Sequence, residues 1–198
     1  MTVRHALKAD VDTVRDTLVD GFREDPYFRW QYPDDATYAD LAGEWFGLIT
    51  ERLMTRGHTY LVDDGAAAAI FIPPDVALAE DADLGRVAEV ITRQLGEERA
   101  MEVLTVLGVM ADHEPKDVLP HFQCVYIACR SASRGCGYGA EVMRRVTRLC
   151  DDEGLGAYLV SSNPLNVSFY EREGYEVLAD VYPIEGGPLM RPMWRDPR

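Results

Sequence analysis

With 198 residues, 47% of them hydrophobic and 27% charged, the chain has the size and composition of one globular domain, residues 1–198, with a sizeable core. A formal net charge of −14 argues against a nucleic-acid surface, which needs clustered Lys and Arg, and against docking on an anionic membrane; it suits solubility and the long-range attraction of cationic ligands such as amines. No run is apolar enough to span a bilayer, residues 1–10 lack a signal-peptide core, and Cys124, Cys129, Cys136 and Cys150 form no CxxC pair, so a cytoplasmic protein with reduced thiols is expected.

In chain order, Val3–Leu7 reads as a first strand. Asp10 is placed to cap a helix over Val11–Phe22, where Val11, Val14, Leu18 and Phe22 recur at helical spacing. Asp25-Pro26 breaks that helix, and Asp34 or Asp35 starts a second one with Leu41, Trp45, Leu48, Ile49 and Leu53 on its apolar stripe, ended by Gly57. Thr59–Val62 and Ala67–Ile72 are short strands around an Asp63-Asp64-Gly65 turn, and Pro73-Pro74 stops the second. Leu84–Met110 is helical in two pieces around Gly96. Pro115 and Pro120 lead to a buried strand, Phe122–Cys129. A glycine turn, Gly135–Gly139, opens a helix to about Cys150. Ala157–Ser161 is a strand, Val167–Arg172 a short helix ending at Gly174, and Tyr175–Tyr182 and Leu189–Trp194 are closing strands. The order predicts a mixed sheet with helices on both faces, an α/β or α+β layout.

The run Arg134-Gly135-Cys136-Gly137-Tyr138-Gly139-Ala140 lies between a strand and a helix. Glycines let backbone N–H groups approach a phosphate, a helix N-terminus favours negative charge, and Arg134 can add a charge-assisted contact. The run reads as a pyrophosphate cradle or as a turn that merely packs helix on sheet. No Gly-Lys-Ser/Thr follows, so it is not a Walker loop, and glycines at every second position make a poor dinucleotide fingerprint. After the next strand comes Asn163-Pro164-Leu165-Asn166-Val167-Ser168-Phe169-Tyr170-Glu171-Arg172-Glu173-Gly174-Tyr175.

Arg134–Gly139 resembles the acyl-CoA pyrophosphate motif of the GNAT superfamily of N-acetyltransferases, and Asn163–Tyr175 resembles that superfamily's Asn…Tyr…Gly-aromatic element. Phe22-Arg23-Glu24-Asp25-Pro26, Trp30, Pro33-Asp34, Leu61–Gly65, Pro120-His121-Phe122 and Ala179-Asp180-Val181 look like the branch that includes the puromycin N-acetyltransferases. The likeness covers nearly the whole chain. It implies a GNAT fold, a mixed sheet of about six to seven strands with extra helices between the third and fourth, and an enzyme that moves an acetyl group from acetyl-CoA to a small-molecule amine of antibiotic-type metabolism. A longer acyl-CoA, a protein amine, or a non-catalytic acyl-CoA sensor are the other readings, and a homodimer is common among such proteins.

By this resemblance Tyr170 is the general acid that protonates the CoA sulfur, and Asn163, Asn166 and Phe169 border the donor. Backbone groups at Ile127, Ala128 and Cys129 would meet the pantetheine arm, although Cys129-Arg130-Ser131 stands where the family often has Val-x-Pro. Asn163 suits a helix cap equally well. The branch's acidic residue on the strand before the Asn falls on Val160, so the general base must come from elsewhere: His121, whose unperturbed pKa is near 6.5, is the first choice, with His113, Glu114, Asp112, Asp25 or a bound water as others. Cys129 as an acyl carrier has no recognisable base partner, and the Cys spacing matches no metal site. Phe22, Asp25, Phe28 and Trp30 are the residues expected to border the acceptor, as aromatic surfaces and an anion for an ammonium.

Overall fold

The computed structural model describes residues 1–116 and 118–198, without the side chain of Asp81. Its strands are β1 (Val3–His5), β2 (His58–Val62), β3 (Ala67–Ile72), β4 (His121–Cys129), β5 (Gly156–Ser161), β6 (Glu176–Val177) and β7 (Arg191–Arg195). They form one seven-stranded sheet in the order β1-β2-β3-β4-β5-β7-β6. Every neighbouring pair is antiparallel except β4 and β5, which run parallel and are joined by a crossover. The helices are α1 (Val11–Gly21), α2 (Pro26–Gln31), α3 (Asp35–Leu53), α4 (Asp81–Leu95), α5 (Glu97–Asp112), α6 (Tyr138–Glu153) and α7 (Val167–Arg172). This is the GNAT fold that the sequence predicts, with α4 and α5, parted at Gly96, as the extra helices between the third and fourth strands.

Strand β3 shows why the sheet lies at the centre. Its six residues are all buried, and they alternate: Ala68, Ile70 and Ile72 face a core built with α1, α3, α4 and α5, whereas Ala67, Ala69 and Phe71 face a second core built with α6 and α7. A strand covered on both faces loses the apolar-polar alternation and reads as a continuous apolar run. On the first face α1 approaches β4 very closely. A Cβ on Gly21 would lie 2.6 Å from Ala128 Cβ and 3.0 Å from the Cys129 carbonyl, so only glycine fits there.

Three local expectations change. Asp10 does not cap α1: its carboxylate takes two bonds from Arg4, at 2.7 and 2.9 Å, and one from Leu7 N at 2.7 Å, closing the short turn before the helix. Asp25-Pro26 ends α1 and also starts α2, because Pro at the first helical position needs no donor and Asp25 accepts from Tyr27 N and Phe28 N. The closing strand expected over Tyr175–Tyr182 pairs only at Glu176–Val177, with a lone bridge at Val181. Leu178 N donates to Pro192 O at 2.9 Å, but Pro192 has no N–H to return, and the ladder stops.

The C-terminal strand is fastened by one ion pair. Arg195, 4% exposed, donates from both Nη atoms to the two Asp151 oxygens at 2.8 Å each and from Nε to Glu173 O at 3.0 Å. The Arg195 guanidinium holds the Asp151 carboxyl below its ordinary range. The folded pKa lies below the unfolded one, so this stabilisation is present above the unfolded carboxylate pKa of about 3.9 and is lost as pH falls through the folded value. Asp151→Asn leaves a buried cation without its counter-ion and is expected to cost about 2 kcal/mol and roughly 4–8 °C in Tm at neutral pH. Thermal melts at pH 7 check this; an unshifted Tm would remove the pair from the account of stability.

Candidate active site

The site is made by two irregularities of β4. The β3–β4 register steps from Ile70↔Tyr126 to Phe71↔Cys124, which leaves Val125 as a bulge. The parallel pairing with β5 ends at Cys124↔Leu159, while β4 continues to Cys129. The two strands therefore part, and backbone groups of residues 125–129 on that side have no strand partner. An amide-bearing chain can lie there and complete the ladder. Ile127 and Cys129 are half-buried along this edge, and Ala128 is buried beneath α1.

At the far end of β4 the chain turns into α6. Gly137 precedes the helix at φ +81°, a left-handed conformation that favours glycine, and no side chain caps the sixteen-residue helix. Its first N–H groups, at Tyr138, Gly139 and Ala140, are thus open to an anion. The turn is held from below: Ser131 N donates to Asp20 Oδ2 at 2.6 Å, and Arg134 donates to the Gly21 carbonyl at 2.9 Å. Gly135 and the exposed Cys136 complete the turn. Phe169 and Cys129 close on Gly139, where an added Cβ would lie 3.6 and 3.7 Å from their side chains. This arrangement fits a pyrophosphate at the helix end and a pantetheine-like arm along β4.

Where β4 and β5 part, a cavity of about 520 Å³ opens. Its lining is largely apolar and comes from both faces: Phe22 and Phe28 from α1–α2, Leu104 and Met110 from α5, Tyr126 from β4, and Tyr170 from α7. Tyr170 is 7% exposed, and burial pushes its phenol pKa far above the ordinary value. Asp25 lines the same cavity, 5% exposed. Its Oδ1 caps α2, and its Oδ2 accepts from Ser162 Oγ at 2.8 Å. Burial pushes the Asp25 carboxyl pKa up against the lowering effect of these bonds. Val160 also lines the cavity. Asp25, on the α1–α2 turn, thus reaches the end of that strand through Ser162, two residues past Val160.

Other predicted residues fall differently. His121 is outside this cavity: its Nε2 meets Glu114 Oε1 at 3.2 Å, its Nδ1 meets Leu119 O at 3.2 Å, and it lies edge-on to Trp194. The Glu114 carboxylate raises its pKa. His113 follows α5 with Nδ1 on Val109 O at 2.8 Å. Trp30, expected at the acceptor, lies outside the cavity lining; the Arg99 guanidinium covers its ring at 3.8 Å, and Arg99 also donates to the Trp30 carbonyl, so the indole ties α2 to α5. Phe22, Phe28 and Tyr126 form an aromatic wall with centroid separations of 5.1–6.2 Å. Asn163 makes its cap, accepting from Leu165 N at 3.0 Å, and Asn166 lines the cavity. Sequence reasoning missed Ser162 and Tyr126: no periodicity distinguishes the second serine of a strand end, or a strand tyrosine whose hydroxyl accepts from Trp45 Nε1 at 3.0 Å. Among the described residues no group of three or more His, Cys, Asp or Glu is placed to hold a metal ion, and no helix is long and apolar enough to cross a membrane.

The model of the acetyltransferase (GNAT) family matches residues 98–175, the stretch from α5 through α7 that holds the parted strands, the glycine turn and Tyr170. An uncharacterized N-acetyltransferase of Schizosaccharomyces pombe is 25% identical over 191 residues, covering 92% of this chain and 77% of that protein. Among solved structures, the histone acetyltransferase HPA2 and related acetyltransferase of Corynebacterium glutamicum superposes with a TM-score of 0.72 at 21% identity, over 100% of this chain and 96% of that one. Arylalkylamine N-acetyltransferase 2 of Aedes aegypti does so with a TM-score of 0.65 at 11% identity, over 100% and 99%. A polyamine N-acetyltransferase of Drosophila melanogaster gives 0.59 at 15%, over 98% and 99%. The chain thus has the GNAT fold over its whole length and, across residues 98–175, a sequence similar to the GNAT acetyltransferase family, a similarity that makes it an enzyme of the acetyltransferase kind.

Proposed function

We propose that this enzyme transfers an acetyl group from acetyl-CoA to the primary amine of a small molecule with an apolar body, by direct attack in a ternary complex. The observation that carries the reading is one apolar cavity lined by a buried phenol, Tyr170, and a buried carboxylate, Asp25, at the point where β4 and β5 part. The uncapped start of α6 and the unpaired edge of β4 would hold the donor's pyrophosphate and pantetheine amides. Acetyl-CoA supplies a thioester carbonyl that accepts the amine nitrogen.

Amide formation needs a neutral amine and a protonated leaving sulfur. Asp25 takes the proton from the amine. Its raised pKa makes it a stronger base than an exposed carboxylate, and Ser162 orients its second oxygen. Tyr170 gives its proton to the sulfur as the carbon–sulfur bond breaks. A phenol kept neutral by burial always has that proton to give. The low polarity that holds the phenol neutral also raises the proton affinity of a thiolate formed beside it, so the transfer is better matched than the values in water suggest. His121 is engaged outside the cavity, and of the two carboxylates that line it, Asp25 and Glu114, Asp25 is the one close enough to act on the Tyr170 phenol, which favours it as the base.

The likeness to the puromycin-type branch and the names of structural relatives that act on arylalkylamines and polyamines support a small-molecule acceptor. The aromatic wall and the α5 aliphatics favour an apolar one. The test is release of CoA thiol from acetyl-CoA with alkylamines, arylalkylamines, aminonucleosides, polyamines, a lysine peptide and no amine. Amines with an alkyl or arylalkyl body are expected to exceed aminonucleosides and the lysine peptide in kcat/KM. A lead by the lysine peptide would move the acceptor to proteins, and binding of acetyl-CoA with no release by any amine would make the chain a sensor.

A further inference from the structure

The acceptor cavity has a second charged end. Three charged side chains line it: Asp25, Arg52 and Glu114. Asp25 is committed to Ser162 and the start of α2, and Arg52 is ion-paired with Asp83. Glu114 follows α5 and meets only His121 among the described residues, through Oε1 and Nε2 at 3.2 Å. It also lines a separate surface hollow of about 250 Å³ between the exit of β3 and the connection into β4. The carboxylate therefore sits in the wall between the cavity and the outside, with Gln123 on β4 shared by both spaces in the same way.

The two carboxylates stand apart along β4. Tyr126, packed on Phe22 and Phe28 with ring centroids at 5.6 and 6.2 Å, marks the Asp25 end. Gln123 marks the Glu114 end, three residues away across the Val125 bulge, a span of at most about 10 Å. Between the ends, α5 contributes Leu104, Leu107 and Met110. The other charged groups at the outer wall are Asp75 and Lys116, and Lys116 is turned to Asp112 at 3.6 Å. Tyr158 lies behind His121, with ring centroids at 6.1 Å. An apolar passage with an anion at each end fits a chain with a cation at each end.

We propose that Glu114 is a specificity-determining residue that receives a second cationic group of the acceptor, so that the preferred substrates are amines whose apolar spacer of at most about 10 Å ends in another ammonium or a guanidinium. His121 is its positioning residue: it holds one carboxylate oxygen and leaves the other for the ligand. This inference rests on the N-acetyltransferase reading of the same cavity and narrows its substrate class.

The experiment compares 1,8-diaminooctane with n-octylamine as acceptors, in the wild-type enzyme, Glu114→Gln and His121→Gln, with melting curves to confirm folding. In the wild type the diamine is expected to exceed the monoamine in kcat/KM by about tenfold at low salt, a partly exposed ion pair's effect that salt weakens. Glu114→Gln keeps the shape and removes the charge, and should bring the ratio close to one; His121→Gln should give an intermediate ratio. Equal use of both amines by the wild type, or an unchanged ratio in Glu114→Gln, would overturn the proposal. If neither amine releases CoA, the transferase reading fails separately, and calorimetric titration of both amines still decides: tighter binding of the diamine by wild type, lost in Glu114→Gln, upholds the Glu114 site, and equal binding removes it.

Discussion

Tyr170→Phe is expected to lower kcat by about 100- to 1,000-fold while acetyl-CoA binds within about twofold of the wild-type affinity. The residue sits on α7, 7% exposed, with its ring packed 5.0 Å from Phe169 and 6.2 Å from Tyr175 between centroids. Phenylalanine preserves that packing, so the melting temperature should hardly move. The hydroxyl faces a change that occurs only during reaction: the sulfur starts as a neutral thioester and acquires charge as the carbon–sulfur bond lengthens. A donor aimed at that charge stabilises the transition state more than the bound substrate, so its loss appears in kcat and not in donor affinity. Thiol release at saturating amine and calorimetric titration with acetyl-CoA separate the two. An unchanged kcat would mean that the sulfur leaves without this proton and that Tyr170 serves only the packing of α7.

How far the sequence reaches is visible residue by residue. The glycine turn and the Asn163–Tyr175 stretch are local: glycines at fixed spacing, a proline-started turn and an aromatic on a short helix are written consecutively, and they fold as written. Strand β3 was legible because it is buried on both faces and so lacks polar interruptions. What escaped is set by relations across the sheet. Asp25 and Ser162 are 137 residues apart in the chain and meet at 2.8 Å only because β4 and β5 separate beside the end of α1. The bulge at Val125 leaves no mark in the alternation of β4, since its residues are apolar or half-buried on either face. His121 was the first choice of base on its intrinsic pKa, but pKa says nothing of position, and the strand start carries it to the outer wall beside Glu114. Trp30 followed the same logic: an aromatic near the acceptor helices is as readily a platform for Arg99 as for a ligand. Val160 stands where the resemblance places a carboxylate, and only the folded chain shows that Asp25 lines the same cavity from another element.

Asp25→Asn tests the base role of Asp25 with little disturbance of the fold. Asparagine retains an oxygen that can accept from Tyr27 N and Phe28 N, and it is as good a helix cap as aspartate. Its Nδ2 takes the place of the oxygen that now accepts from Ser162 Oγ at 2.8 Å, and the contact is kept with the amide donating to the serine hydroxyl oxygen. What it loses is charge and basicity. The sign of the accompanying stability change follows from burial. The folded pKa of Asp25 is raised above the unfolded value, so the folded state favours the protonated form; that advantage is complete below the unfolded pKa and is lost as pH rises through the folded one. At neutral pH the neutral asparagine removes a desolvated charge, and the variant is expected to melt at or slightly above the wild-type temperature. Its kcat with a primary amine should nonetheless fall by about 100-fold or more, with the loss largest where the wild-type base is fully ionised. In the pH–rate profile the wild type rises as pH climbs through the raised Asp25 pKa, and the variant lacks that limb. A variant that melts higher and turns over slowly separates a base from a structural cap, because a cap that mattered only for folding would have left the rate intact or lowered the melting temperature. A profile that keeps its acid limb in Asp25→Asn would transfer the base to a group outside the α1–α2 turn.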